Sequence, residues 1–84
     1  MAIPQTSDEA RKEGYEVKRL SAEDANRLMN AGPNLDTFAK VKKVDCANLP
    51  NGGMCWEGNC IDGWKEVLYC NGTFCVDYAR IRCP

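Results

Sequence analysis

All six cysteines of this 84-residue chain, Cys46, Cys55, Cys60, Cys70, Cys75 and Cys83, fall in its last 39 residues, and the first 45 residues carry none. The number is even, the segment is short, and no pair has the Cys-x-x-Cys spacing of a metal clamp. That combination predicts three disulfides stapling a small extracellular module. A core of this size is marginal without help. Each cross-link supplies roughly 2–4 kcal/mol when its geometry is relaxed. A stapled module so small is expected to present a surface to another protein, because it leaves little volume for a pocket.

The formal net charge is -1. So small a charge points to neither nucleic acid nor an anionic membrane as partner. No apolar run is long enough to span a bilayer. The start, Met1-Ala2-Ile3-Pro4-Gln5, turns polar within a few residues, so the chain reads as a mature form. Asn71-Gly72-Thr73 is an Asn-x-Thr glycosylation acceptor, with Asn71 as the modified residue, and it doubles as an Asn-Gly turn. Beside six cysteines it favours a secreted, extracellular protein; a monomer is expected.

Two parts of different character are expected. Residues 1–45 form a charged N-terminal arm with eight charges of each sign, whereas 46–84, the cysteine module, carries seven charges in all. The first 20 residues lack periodicity and read as a mobile tail. A short helix over about 22–31 follows. Ser21 is its N-cap, with Asp24 three residues on. Leu20 and Ala25 can form a hydrophobic staple. Ala25, Leu28 and Met29 line one face, and Glu23 can pair with Arg27. Asn30-Ala31-Gly32-Pro33 ends it. Ten residues are too few for an isolated helix, so it must dock on the module or form against a partner. The dibasic pairs Lys18-Arg19 and Lys42-Lys43 read as charged residues of the mobile arm rather than as processing sites.

At the end of the arm, Phe38 to Val44 is an extended candidate leading to Cys46; in the module, Leu49 to Gly53 is a turn and Met54 to Ile61 a short run broken by Gly58. The strongest signal is a hairpin of Trp64–Cys70 and Thr73–Arg82 on an Asn71-Gly72 turn. In that register Leu68 faces Cys75, and Cys70 and Cys75 are diagonal neighbours ~7–8 Å apart. That is too far for an unstrained bond, so both are expected to bond outward. The pairing itself stays open. Cys55–Asp62 and Cys70–Asp77 share Cys-x4-Cys-(Ile/Val)-Asp, which either two similar hairpins or chance would explain. The fold class is therefore small, disulfide-rich and mainly β, with an N-terminal tail and one short α-helix.

The chain has no histidine, which removes the commonest general base and the commonest zinc ligand. The tightest cysteine spacing is Cys-x4-Cys, too loose for the usual thiolate clamp. Glu57, Asp62, Glu66 and Asp77 are the module's only carboxylates, and nothing nominates a pair for acid–base work. No enzyme, cofactor or metal is expected. Trp56 sits in the loop Cys55–Cys60; it is either an exposed anchor of the kind that dominates interfaces or a lid over a disulfide. Trp64, Tyr69, Phe74 and Ile81 read as core. Arg80 and Arg82 share one strand face, either as guards on an edge strand or as a guanidinium pair meeting an acidic patch. The expected binding set is Trp56, Glu57, Asn59, Arg80 and Arg82.

The run Cys46–Ile61, with its Leu49-Pro50-Asn51-Gly52 turn and its Gly58-Asn59-Cys60-Ile61 loop, resembles small secreted arthropod proteins, above all tick salivary ones. The order of its spacings is also similar to a reduced von Willebrand factor type C module. Tick complement inhibitors of the CirpT kind carry such a module. The resemblance covers residues 46–83 and implies a secreted inhibitor that occupies the surface of a host extracellular protein. The expected target is a complement component, with a protease or chemokine also in view. A secreted toxin or effector acting on a receptor or channel, and a cysteine-only metal-binding module, are the alternatives.

Overall fold

The computed structural model describes residues 3–31 and 42–83. The described elements, in chain order, are helix α1 (Ser7–Lys12), strand β1 (Val17–Arg19), helix α2 (Ala22–Ala31), strand β2 (Lys42–Lys43), a 3-10 turn (Cys46–Asn48), and strands β3 (Met54–Glu57), β4 (Trp64–Asn71) and β5 (Phe74–Arg82). The strands form one antiparallel sheet in the order β1-β5-β4-β3-β2. The protein is mainly β and disulfide-rich, as its cysteines and hairpin signals predict.

β4 lies at the centre, and Val67, Leu68, Tyr69 and Cys70 are all buried on it. A strand buried at consecutive positions has both faces covered. One face holds Cys46, Cys55, Trp56, Leu68, Cys70 and Val76, with Ala25 of α2 packed among them and Leu28 and Met29 beside it. The other holds Val67, Tyr69, Ala79 and Ile81 under Ala10 of α1, with Ile3, Tyr15 and Val17 at the margin.

The second face corrects the reading of residues 1–20 as a mobile tail. Thr6 caps α1, its hydroxyl accepting from Glu9 N–H. The Tyr69 hydroxyl donates to the Pro4 carbonyl at 3.0 Å, and Ser7 N–H donates to Gly52 O at 2.9 Å. β1 pairs with β5 through Val17–Ala79, Lys18–Tyr78 and Arg19–Asp77. Few apolar residues suffice here because Ile3, Ala10, Tyr15 and Val17 all meet one patch of sheet, while Leu20 packs on the opposite face. The Lys18-Arg19 pair is therefore strand rather than loose arm.

α2 begins where expected, with Ser21 Oγ accepting from Asp24 N–H at 3.0 Å. Arg27 pairs with Asp24 at 3.0 Å and with Glu23 at 3.9 Å. Its expected stop at Gly32-Pro33, and most of the extended candidate from Phe38 to Val44, lie outside the described residues.

The hairpin forms, one residue later than predicted. Asn71 pairs with Phe74 and Cys70 with Cys75, so Gly72 and Thr73 make the turn. Gly72 takes φ 63 and Thr73 has no positive φ, the pattern of a type II′ turn with glycine first. A bulge follows, because Tyr69 pairs with Asp77 and Val76 is left over. Cys70 and Cys75 are thus directly opposite rather than diagonal. Both still bond outward: the bridges are Cys46–Cys70, Cys55–Cys75 and Cys60–Cys83. The shared Cys-x4-Cys pattern is not two similar hairpins. Cys70 and Cys75 flank a turn, whereas β3 stops at Glu57 and the chain reaches its own turn at Asp62-Gly63.

Candidate functional site

Among the described residues, the sheet face that carries α2 is not covered to its end. Past Leu28, side chains of β4 and β5 floor an open groove walled on the far side by the 58–62 loop. The groove has a volume of about 530 Å³, and Trp56, Trp64, Glu66, Tyr78 and Arg80 line it. A groove of this volume exceeds what the chain length suggested. The disulfide Cys60–Cys83 ties the loop to the end of β5. Gly58 lets the loop pass close, since a Cβ there would come within 3.0 Å of the Trp56 ring and 3.2 Å of Glu66 O. Asp62 (φ 55) and Gly63 (φ 85) turn the chain back toward Trp64, and Ile61 and Trp64 exchange both backbone hydrogen bonds.

The register places Trp64 opposite Arg82 and Glu66 opposite Arg80. Both guanidinium groups lie over the Trp64 ring, Arg80 at 5.1 Å and Arg82 at 4.9 Å from its centre. Stacking on an indole fixes a guanidinium without consuming its N–H donors. Neither arginine has a carboxylate partner among the described residues, where the ion pairs found involve Arg11, Arg19, Arg27 and Lys65. Glu66 is held instead by the Tyr78 hydroxyl, which donates to Oε2 at 2.6 Å. Burial first, then the hydrogen bond and charge of Glu66, push the Tyr78 phenol up to about 12.

Trp56 is 3% exposed, in the core beneath the groove, so it is a packing residue and not an exposed anchor. It meets the sheet because Trp56 pairs with Leu68 on β4. Its indole Nε1 has no hydrogen-bond partner among the described residues. Glu57 is committed to Lys65, 2.6 Å away, and does not line the groove. Asn59 and Arg80 do line it, and Arg82 does not, but stacks on Trp64, which does. Trp64, expected as core, is half-buried; Phe74, also expected as core, is 63% exposed. Tyr69 and Ile81 are core as expected. Of the module's carboxylates, Glu57, Glu66 and Asp77 each have a partner. Sγ atoms of Cys46, Cys55 and Cys75 cluster within 4.8 Å, but each is bonded in a disulfide and offers no thiolate.

Sequence reasoning missed Trp64, Glu66 and Tyr78. Their signal is the i, i+2 alternation along two paired strands, readable only in the right register. Compared with family models, curated proteins and solved structures, the chain matches none. Among the described residues no helix is long and apolar enough to cross a membrane.

Proposed function

We propose that this chain is a secreted, non-enzymatic binding protein that inhibits another extracellular protein by occupying its surface. The groove beside Trp64 is the contact site. The observation that carries this reading is the pair Arg80 and Arg82, both stacked on Trp64 and both without a carboxylate partner among the described residues. Tryptophan and arginine are the side chains that most often carry interface energy. Here they are pre-arranged on a cross-linked sheet, so little side-chain freedom remains to be lost on binding. Two unspent guanidinium forks favour an acidic patch on the partner. Three disulfides favour an oxidising, extracellular setting. The resemblance of Cys46–Ile61 to tick salivary inhibitors makes a complement component the first target to test.

The test is capture from vertebrate plasma by the immobilised protein, read by mass spectrometry, beside an Arg80→Glu/Arg82→Glu variant that keeps its melting curve. Capture of a complement component by the wild type alone supports the proposal. Equal capture by both proteins places the interface elsewhere.

A further inference from the structure

The tip of the β4–β5 hairpin, away from the groove, carries two unused features that face each other. Asn71 opens the acceptor tripeptide Asn71-Gly72-Thr73. Phe74 is 63% exposed. The register pairs these two residues directly across the turn. Directly opposed side chains leave the same face of a ribbon with Cβ atoms roughly 4.5–5.5 Å apart. One exposed phenylalanine is ordinary on its own.

We propose that Asn71 carries an N-linked glycan and that the Phe74 ring is the platform for its first sugar. The amide orientation that satisfies both partners turns Asn71 Oδ1 toward Arg19, whose three guanidinium nitrogens lie 2.8, 3.0 and 3.2 Å away. Arg19 is itself held by Asp77 at 3.2 Å. The amide nitrogen, the atom that bears the sugar, then points away from the cation. Gly72 N–H donates to Asn51 Oδ1 at 3.1 Å and steadies the turn from the other side. Asn71 is half-buried and Gly72, Thr73 and Phe74 are exposed, so a glycan on the outward side of Asn71 leaves the hairpin tip into solvent. An N-acetylglucosamine ring has a face of C–H bonds, and laying it on Phe74 takes apolar surface out of water on both sides.

The attachment is an ordinary group transfer in the secretory route. Asn71 Nδ2 loses a proton and bonds to the anomeric carbon of an oligosaccharide carried on a lipid pyrophosphate. The bond from that carbon to the pyrophosphate oxygen breaks, and the lipid pyrophosphate leaves with the electron pair. The Thr73 hydroxyl completes the acceptor. The proposal requires passage through a glycosylating compartment and is independent of the groove.

The experiment expresses the full chain in a eukaryotic secretory host alongside a control glycoprotein. Intact mass should show one N-glycan, absent from Asn71→Gln and Thr73→Ala. Melting temperatures are then compared for glycosylated and Thr73→Ala protein, each with Phe74 and with Phe74→Ala. With Phe74 the glycan should raise the melting temperature by about 4 °C, the shift expected of one aromatic contact in a domain this size. With Phe74→Ala it should raise it by less than half as much. An unmodified Asn71 beside a modified control overturns the acceptor. An equal increment in both backgrounds overturns the platform.

Discussion

Replacing Cys60 and Cys83 together by serine removes the one bridge that closes the groove's loop onto the end of β5, and its cost follows from chain geometry. Cys60 is exposed and Cys83 half-buried, so little packing is lost and the effect lies mainly in the unfolded chain. Taken alone, the bridge spans a sequence separation of 23. Closing such a loop gives about 3.4 kcal/mol at 25 °C. The unfolded chain, however, is already tied by Cys55–Cys75. Its shorter path runs five residues back from Cys60 to Cys55, across that bridge, and eight residues on from Cys75 to Cys83. A loop of about 13 residues gives roughly 3 kcal/mol, because the dependence on length is logarithmic. In a domain of this size that lowers the melting temperature by roughly 12–24 °C. Denaturant unfolding of the double variant, with the other two bridges confirmed by mass, should therefore show a loss near 3 kcal/mol. A loss below about 1 kcal/mol would refute the pairing or the reasoning.

Tyr69→Phe removes the buried hydroxyl that reaches Pro4 O and should cost about 1–3 kcal/mol in denaturant unfolding; no loss would mean that the N-terminal segment is not docked on this face. Trp56→Ala should cost about 3–5 kcal/mol, as for a large buried aromatic. Trp64→Ala, half-exposed, should stay folded at a cost of roughly 1 kcal/mol, and thermal melts showing the reverse order would contradict the assignment of core and rim. The Tyr78 phenol lies at about 12 against its ordinary 10.0, so the folded state keeps this proton longer than the unfolded chain. Its contribution to stability is complete below about pH 10 and is lost as pH rises toward about 12. Tyr78→Phe should flatten the fall in stability across that window, and an unchanged slope would count against the burial of the phenol together with its Glu66 contact.

Much of this fold is legible in the sequence. Ser21 and the Ala25, Leu28, Met29 stripe mark α2, and the β-rich runs around Gly72 mark the hairpin. The cysteine count marks the bridges, but their connectivity is not readable, because it depends on which strands become neighbours. The N-terminal segment was illegible for a related reason. Its few apolar residues, Ile3, Ala10, Tyr15 and Val17, have no period of their own and are matched instead to a patch of sheet formed by residues far along the chain. The site was missed through register. A turn at Asn71-Gly72 sets Trp64 opposite Ala79, whereas the turn at Gly72-Thr73 with the Val76 bulge sets it opposite Arg82. That shift converts Trp64 from a core residue into the platform for two arginines. Trp56 was ambiguous for want of a partner strand. Leu68 supplies one, and the indole goes inward.

If another protein docks in the groove beside Trp64, the backbone around it must lose solvent access in the complex. Amide hydrogen exchange of the free protein and of its complex with the captured plasma partner tests it most directly. New protection is expected over residues 58–66 and 78–82, with the hairpin tip at 72–74 and helix α1 unchanged. Protection confined to the tip or to α1, with the groove exchanging as in the free protein, would contradict it.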